Sequence, residues 1–173
     1  MTTYKQRLAQ ITTFCFDYDG VFTDGVMMLL STGEIARTAH VRDGYAVQLA
    51  AKCGFNIAII TGGTQEAVRT RFEGLGVNHV YLGAKDKVDV FQSFLKEKNI
   101  DASEVLYMGD DIPDYRVLQL AGISTCPADA APEIKSVSDY ISPIGGGQGC
   151  VRDIIEQTLK AQGKWMQDNG HQW

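Results

Sequence analysis

Short apolar segments alternate with segments of helical periodicity along most of the chain. The apolar segments are rich in β-branched and aromatic residues and end at glycine or polar residues, which is typical of buried strands. Six of them are predicted to form one sheet: residues 13–16, 55–60, 79–82, 105–108, 123–125 and 140–142. Strands that alternate with helices form a parallel sheet covered on both faces. The pattern therefore predicts an α/β fold, a three-layer sandwich with a central parallel sheet.

One segment interrupts this alternation directly after the first predicted strand. Residues 26–30 and 35–40 are predicted as two strands about the turn 31–34, which makes an inserted β-hairpin over about residues 26–40. The first arm, Val-Met-Met-Leu-Leu, is apolar on both faces. Because a projecting hairpin leaves one face in water, the apolar arm predicts that another subunit covers it. The alternative is that the arm folds onto its own domain.

Length and charge narrow the class of protein. The 173 residues fit a single domain, residues 1–173, with a polar tail at about 163–173. The formal net charge is −5 and no basic run is present, so nucleic acid is not expected as a partner. No apolar stretch approaches the ~20 residues that cross a bilayer, so we expect no membrane partner and a cytoplasmic location. The four cysteines lack CxxC spacing and are expected to be reduced core residues.

Acidic residues cluster at the ends of two predicted strands. Asp17 and Asp19 follow the first strand, and Asp110, Asp111 and Asp114 follow the fourth. In open α/β sheets, ligands bind at the carboxyl ends of the strands. Carboxylates gathered there repel by about 4 kcal/mol per pair at 4 Å and an effective dielectric near 20, so a cation is expected among them. Oxygen donors without nearby Cys or His favour Mg²⁺. For Asp114 the alternative is a helix cap or turn.

Two further strand ends carry groups suited to an anion. Thr61 ends the second strand and, with the backbone N–H of Gly62, offers donors near a predicted helix N-terminus. The alternative for Thr61 is a helix cap alone. Lys87 lies in the first turn of a predicted helix, where the helix dipole disfavours a cation, so we expect it to have an anionic partner. The alternative is that Lys85 is the important cation.

Together these groups are suited to phosphoryl transfer through an aspartyl-phosphate. We expect Asp17 to attack phosphorus, which divides hydrolysis into two easier steps. Asp19 is expected to protonate the leaving alcohol and then to take a proton from the attacking water. Mg²⁺ and Lys87 are expected to offset the repulsion between the anionic nucleophile and the phosphate.

The order of these motifs resembles the haloacid dehalogenase superfamily of phosphotransferases. The matching elements are DxD at 17–19, Thr61, Lys87 and GDDxxD at 109–114. Further similarity at 41–45 and 145–152 extends the resemblance from about residue 8 to residue 164, to capless members acting on an eight-carbon sugar-acid phosphate. The resemblance implies a Rossmann-like domain without a cap and a Mg²⁺-dependent sugar-phosphate phosphatase. It also implies a place in lipopolysaccharide precursor synthesis.

The resemblance also implies site residues and partners. The implied metal ligands are Asp17, the backbone oxygen of Asp19, and Asp110, with Asp111 supporting. The implied phosphate contacts are Thr61, Gly62 and Lys87. Arg71 falls on the position that meets the substrate's carboxylate, where the alternative is a solvated helix charge. The implied assembly is a homotetramer. In it the hairpin forms the interface, and the glycine-rich segment and C-terminal tail reach a neighbour's active site.

One position departs from the family pattern and leaves the substrate open. Many relatives have Arg where this chain has Gly63, so a nine-carbon, sialic-acid-like keto-acid 9-phosphate is an alternative substrate. Two other classes of protein are alternatives. A phospho-accepting receiver domain would need an Asp ending a strand between Asp19 and Thr61, and none is present. A non-catalytic oligomerisation module would tolerate loss of the nucleophile, yet Asp17 is present. His40 and His79 are expected to be structural.

Overall fold

The computed structural model describes residues 3–171, and a parallel sheet of six strands lies at the centre of this range. The strands of the described range are β1 (Thr13–Phe16), β2 (Met28–Leu29), β3 (Ile35–Ala36), β4 (Asn56–Ile60), β5 (His79–Tyr81), β6 (Val105–Met108), β7 (Ile123–Cys126) and β8 (Tyr140–Ile141). The order in the central sheet is β5-β4-β1-β6-β7-β8. The predicted α/β class, the parallel sheet and the separate hairpin are thereby confirmed.

Helices cover both faces of the sheet. The α-helices of the described range are α1 (Tyr4–Arg7), α2 (Val41–Lys52), α3 (Glu66–Glu73), α4 (Lys87–Lys98), α5 (Tyr115–Leu118), α6 (Pro132–Val137) and α7 (Cys150–Ala161). Apolar side chains of α2, α3 and α7 form one buried cluster with Phe14 and Phe16 of β1. Side chains of α4, α5 and α6 form a second cluster with Cys15. Successive residues of β1 therefore pack into opposite layers, which explains why this strand is buried throughout.

The register of β1 brings the strand ends together. Phe16 pairs with Ile59 of β4 on one side and with Met108 of β6 on the other. The chain runs from β1 to β4 and β5 on one side and then returns to β6 on the other. Such a reversal leaves a crevice at the carboxyl ends of the strands. The residues that follow β1, β4 and β6 therefore emerge at one edge of the sheet.

The inserted hairpin is formed by β2 and β3, which pair antiparallel. Its first arm does not fold onto the chain. Val26 is 65% exposed and Leu29 75% exposed, and the residues between them are also largely in solvent. The alternative in which this arm packs on its own domain is therefore wrong. Five adjacent apolar side chains remain uncovered by the chain that carries them.

The glycine-rich segment at 145–149 packs against the loop that follows β1. A Cβ on Gly146 would lie 2.0 Å from the carbonyl oxygen of Gly20, so the two backbones meet where only glycine fits. Gly147 donates its N–H to the carbonyl oxygen of Val21 at 2.9 Å. In the single chain this segment therefore supports its own active-site loop.

The C-terminal tail also lies on its own chain. Trp165 packs against the buried cluster, Arg152 lies over the rings of Tyr45 and Trp165, and the Tyr45 hydroxyl donates to the carbonyl oxygen of Gly170. Residues 172–173 of the predicted tail lie outside the described range. Among the residues described, no helix has the length and apolar character needed to cross a bilayer.

Candidate active site

A crevice of about 590 Å³ opens at the carboxyl ends of β1, β4 and β6. Its lining includes the predicted site residues Asp17, Asp19, Thr61, Gly62, Lys87, Asp110 and Asp111. Lys85 also lines it but is exposed, whereas Lys87 is buried. The structure therefore gathers seven of the eight predicted residues in one place, the exception being Arg71.

Lys87 lies between two carboxylates at the base of the crevice. Its Nζ is 2.8 Å from Oδ2 of Asp17 and 2.7 Å from Oδ1 of Asp114. The hydroxyl of Tyr107 donates to the same Asp114 oxygen at 2.8 Å. Lys87 is the first residue of α4, and Asp86 caps that helix by accepting from two backbone N–H groups. These contacts supply the anionic partners that a cation at a helix N-terminus needs.

Burial and like charge change the acidities in this cluster. Burial and then repulsion from Asp114 raise the pKa of Asp17 well above its usual range, although Lys87 lowers it. Burial and the same carboxylate raise the pKa of Asp110 to about 7. Burial disfavours the charged form of Lys87, but Asp114 and Asp17 outweigh this and raise the pKa of its ammonium. Burial and repulsion from Asp114 therefore disfavour the charged forms of Asp17 and Asp110, even with Lys87 beside Asp17.

Three of these carboxylates are arranged as cation ligands. Asp17, Asp110 and Asp114 each offer an oxygen, and these oxygens all lie within 4.8 Å of one another. Oδ1 of Asp110 is buried without a hydrogen-bond partner in the described structure. A buried carboxylate oxygen without a donor is costly, and a hard cation would satisfy it. Asp111 is exposed and lies outside this group of three.

Glycines allow this close approach of carboxylates and backbone. A Cβ on Gly20, where φ is +82°, would lie 2.0 Å from Oδ2 of Asp110. A Cβ on Gly109 would lie 2.3 Å from Cγ of Asp114. Asp114 is fully buried and makes no side-chain hydrogen bond to the start of α5. The helix-cap alternative for Asp114 is therefore wrong, and the GDDxxD spacing was the signal that could have placed it in the site.

Thr61 lies in a loop, and not at the start of a helix. Its Oγ1 accepts the N–H of Gly63 at 3.0 Å. The next helix, α3, begins only at Glu66 and has Gln65 at its N-cap position. The expected helix N-terminus is therefore absent at this point, and the alternative of Thr61 as a helix cap also fails. Loop N–H groups beside the Thr61 hydroxyl are the available donors.

Arg71, which was predicted as a site residue, lies outside the crevice, whereas Arg37, which was not predicted, lines it. Arg71, on α3, lies against α2, since a Cβ on Gly44 would be 2.4 Å from its Nη2 atom, and it does not line the crevice. Its role toward the substrate stays a prediction. Arg37, which directly follows β3, does line the crevice, and its Nε donates to Oδ1 of Asp19 at 2.5 Å. No pattern in the sequence had marked Arg37 as a site residue.

Comparison with known proteins agrees with this geometry. Residues 76–145 match the family model for haloacid dehalogenase-like hydrolases. The 3-deoxy-D-manno-octulosonate 8-phosphate phosphatase KdsC of Escherichia coli K12 is 36% identical over 164 residues, covering 95% of this chain and 87% of the relative. The fold and the site thus define a hydrolase of the haloacid dehalogenase type.

Solved structures give the same result. The 3-deoxy-D-manno-octulosonate 8-phosphate phosphatase of Yersinia pestis superposes with a TM-score of 0.90 at 34% identity, covering 92% of this chain and 86% of that one. The corresponding enzyme of Moraxella catarrhalis, in complex with magnesium, phosphate and KDO, has a TM-score of 0.89 at 34% identity, with coverage of 92% and 91%. This chain belongs to the 3-deoxy-D-manno-octulosonate 8-phosphate phosphatase family. The prediction of a phosphoric monoester hydrolase is thereby confirmed.

Proposed function

We propose that this chain is a Mg²⁺-dependent phosphatase that hydrolyses 3-deoxy-D-manno-octulosonate 8-phosphate through an aspartyl-phosphate on Asp17. The observation that carries the proposal is the placement of Asp17, Lys87 and Asp110 at the base of one crevice, with Thr61 beside them. Family membership supplies the substrate class. The product would be the free sugar acid, which is a precursor of lipopolysaccharide in the pathway that the resemblance implies. The free cysteines fit the reducing cytoplasm predicted for the chain.

The carboxylate cluster fits a magnesium ion. The Moraxella relative contains one, and here three carboxylates converge, while Oδ1 of Asp110 and Oδ2 of Asp114 have no hydrogen-bond partner in the described range. Asp17 and Asp110 of this group would hold the ion, since Asp114 is engaged by Lys87 and Tyr107. The family resemblance adds the backbone oxygen of Asp19 as a ligand, with Asp111 supporting. When bound, the ion offsets the repulsion between the carboxylates and the phosphoryl oxygens. EDTA should abolish phosphate release and added Mg²⁺ should restore it, whereas a rate indifferent to chelation would contradict the site.

The side chains have distinct tasks in the two steps. A carboxylate oxygen of Asp17 forms a bond to phosphorus while the ester oxygen leaves and takes a proton from Asp19. A water then attacks phosphorus, Asp19 takes its proton, and the bond from Asp17 to phosphorus breaks. Lys87, the Thr61 hydroxyl and the Gly62 N–H stabilise charge on the phosphoryl oxygens. The Asp17→Asn variant should lose turnover and keep its fold, as measured by phosphate release and circular dichroism.

The nine-carbon alternative rests on Gly63. This residue lines the crevice, and a Cβ there would lie 3.4 Å from Oδ2 of Asp19, so a side chain at this position would enter the site. The Arg of many relatives is missing at this point. Rates of phosphate release from the eight-carbon and nine-carbon keto-acid phosphates, with hexose phosphates as controls, decide between them. A higher kcat/KM for the nine-carbon substrate would overturn the proposed specificity.

We further propose a homotetramer in which the exposed first arm of the hairpin is covered by a neighbour. Its support is the uncovered apolar run from Val26 to Leu30. The predicted reach of the tail to a neighbour's site would require residues near Trp165 and Gly170 to leave the positions that they occupy on their own chain. Sedimentation should give a mass near four chains, and a Leu29→Arg variant should dissociate. A wild type that sediments as a monomer would contradict this assembly.

A further inference from the structure

The hairpin sends one charged side chain into the active-site crevice. Arg37 follows β3, and its Nε donates to Oδ1 of Asp19 at 2.5 Å. The side chain of Arg37 is only 11% exposed, although the hairpin arm opposite it lies largely in solvent. Its Nη2 also lies 3.5 Å from Sδ of Met27 on that arm. The guanidinium is therefore held between the hairpin and the Asp19 carboxylate.

Among residues 3–171, the hydrogen bond from Arg37 is the one that the Asp19 side chain makes. Asp19 sits on the loop after β1 and is 36% exposed, so little packing limits its rotamers. Asp17, in contrast, accepts the N–H of Tyr18 at 2.6 Å and contacts Lys87 at 2.8 Å. Within residues 3–171, the Asp17 carboxylate is therefore held by Tyr18 and Lys87, which belong to the main domain. The Asp19 carboxylate is held by Arg37, which belongs to the hairpin.

We propose that Arg37 is a positioning residue that orients Asp19 for proton transfer to the leaving alcohol, and so links the packing of the hairpin to catalysis. The inference rests on the proposed function. A general acid must lie within hydrogen-bond reach of the leaving oxygen, and a displacement of about 1 Å can cost about 100-fold in rate. Without Arg37, the Asp19 carboxylate can rotate away from that position.

The nature of the leaving group separates this role from a merely structural one. A sugar alkoxide is a poor leaving group and needs a proton as the ester bond breaks. The p-nitrophenolate of p-nitrophenyl phosphate is stable as an anion and needs none. A defect confined to the orientation of Asp19 therefore slows the sugar phosphate selectively. A general distortion of the crevice slows both substrates alike.

The experiment compares Arg37→Ala, Arg37→Lys and Asp19→Asn with the wild type on the eight-carbon sugar-acid phosphate and on p-nitrophenyl phosphate. Thr38→Ala, an exposed neighbour on the same arm, is the control for perturbation of the hairpin. We expect Arg37→Ala to lower kcat on the sugar phosphate by about 100-fold and on the aryl phosphate by less than about 3-fold. Arg37→Lys should recover part of the loss. In the Asp19→Asn background, Arg37→Ala should have little further effect, because both changes remove one function.

The other outcomes overturn the inference. Equal losses on both substrates would make Arg37 structural, and a raised KM with unchanged kcat would make it a substrate contact. Additive losses in the double variant, or an Arg37→Ala variant as active as Thr38→Ala, would remove the link to Asp19. In all these cases the wild type remains active, so the proposed function stands. A folded wild type that releases phosphate from neither substrate would overturn the proposed function and this inference together.

Discussion

Replacing Lys87 by methionine removes the buried cation between Asp17 and Asp114 and keeps a long unbranched side chain. Both contacts are short, at 2.8 and 2.7 Å, and the Lys87 side chain is only 6% exposed. Removing one partner of a buried ion pair costs about 3–5 kcal/mol, because the remaining charge stays buried without compensation. Since two carboxylates lose their partner, we expect a loss of about 4 kcal/mol in the free energy of unfolding. For a chain of this size the melting temperature should fall by about 8–16 °C.

This destabilisation should depend on pH with a defined sign. Burial already raises the pKa of Asp17, and loss of Lys87, which lowers it, raises it further. A protonated Asp17 needs no cation, so the difference in stability between wild type and variant should be largest near pH 8 and smaller near pH 5. Urea unfolding in EDTA at both pH values measures it. The kcat for the sugar phosphate should fall by about 10²- to 10³-fold.

Lys96→Met, an exposed position in the last turn of the same helix, is the matched control. Its free energy of unfolding should change by no more than about 0.5 kcal/mol. If Lys87→Met melted within about 2 °C of this control, or lost equal stability at both pH values, the assignment of Lys87 as the compensating charge would be refuted.

Two further substitutions test the backbone contact that supports the site and a second buried carboxylate. Gly146→Ala places a Cβ 2.0 Å from the carbonyl oxygen of Gly20 and should lower kcat/KM by at least about 10-fold with the fold retained. Gly74→Ala is the control and should keep its kcat/KM, because a Cβ there meets only ordinary van der Waals contacts. Full activity of Gly146→Ala would contradict the role of this contact. Burial raises the pKa of Asp43 to about 6, so stability should fall by about 3 kcal/mol as pH rises from about 4 through 6. Asp43→Asn should flatten the dependence of the free energy of unfolding on pH in this range, as measured by urea unfolding. An unchanged slope would contradict the raised pKa of Asp43.

Much of the sheet could be predicted from the sequence because its central strands are buried on both faces. β1 and β6 have the predicted bounds, and β4 and β5 are each one residue shorter than predicted. The site followed from the same argument, since parallel strands end at one edge. Asp17, Thr61 and Asp110 therefore meet in one crevice.

The contacts that depend on tertiary packing could not be predicted. Arg37 reaches Asp19 only through the tertiary placement of the hairpin, and no local spacing in the sequence indicates this contact. Tyr107 lies in an apolar strand and is indistinguishable there from a core residue, yet its hydroxyl bonds Asp114. The helix expected next to Thr61 begins five residues later, at Glu66, because residues 62–65 form a loop.

Chemical trapping can show whether Asp17 carries the phosphoryl group during turnover. The enzyme is quenched with acid in the presence of the eight-carbon substrate and Mg²⁺ and is then reduced with borohydride. This reduction converts an aspartyl-phosphate to homoserine. Peptide mass spectrometry then locates the reduced residue. We expect homoserine at position 17, dependent on substrate and absent from the Asp17→Asn variant. An unreduced Asp17 in enzyme quenched during active turnover, or reduction at Asp19 or Asp110 instead, would contradict it.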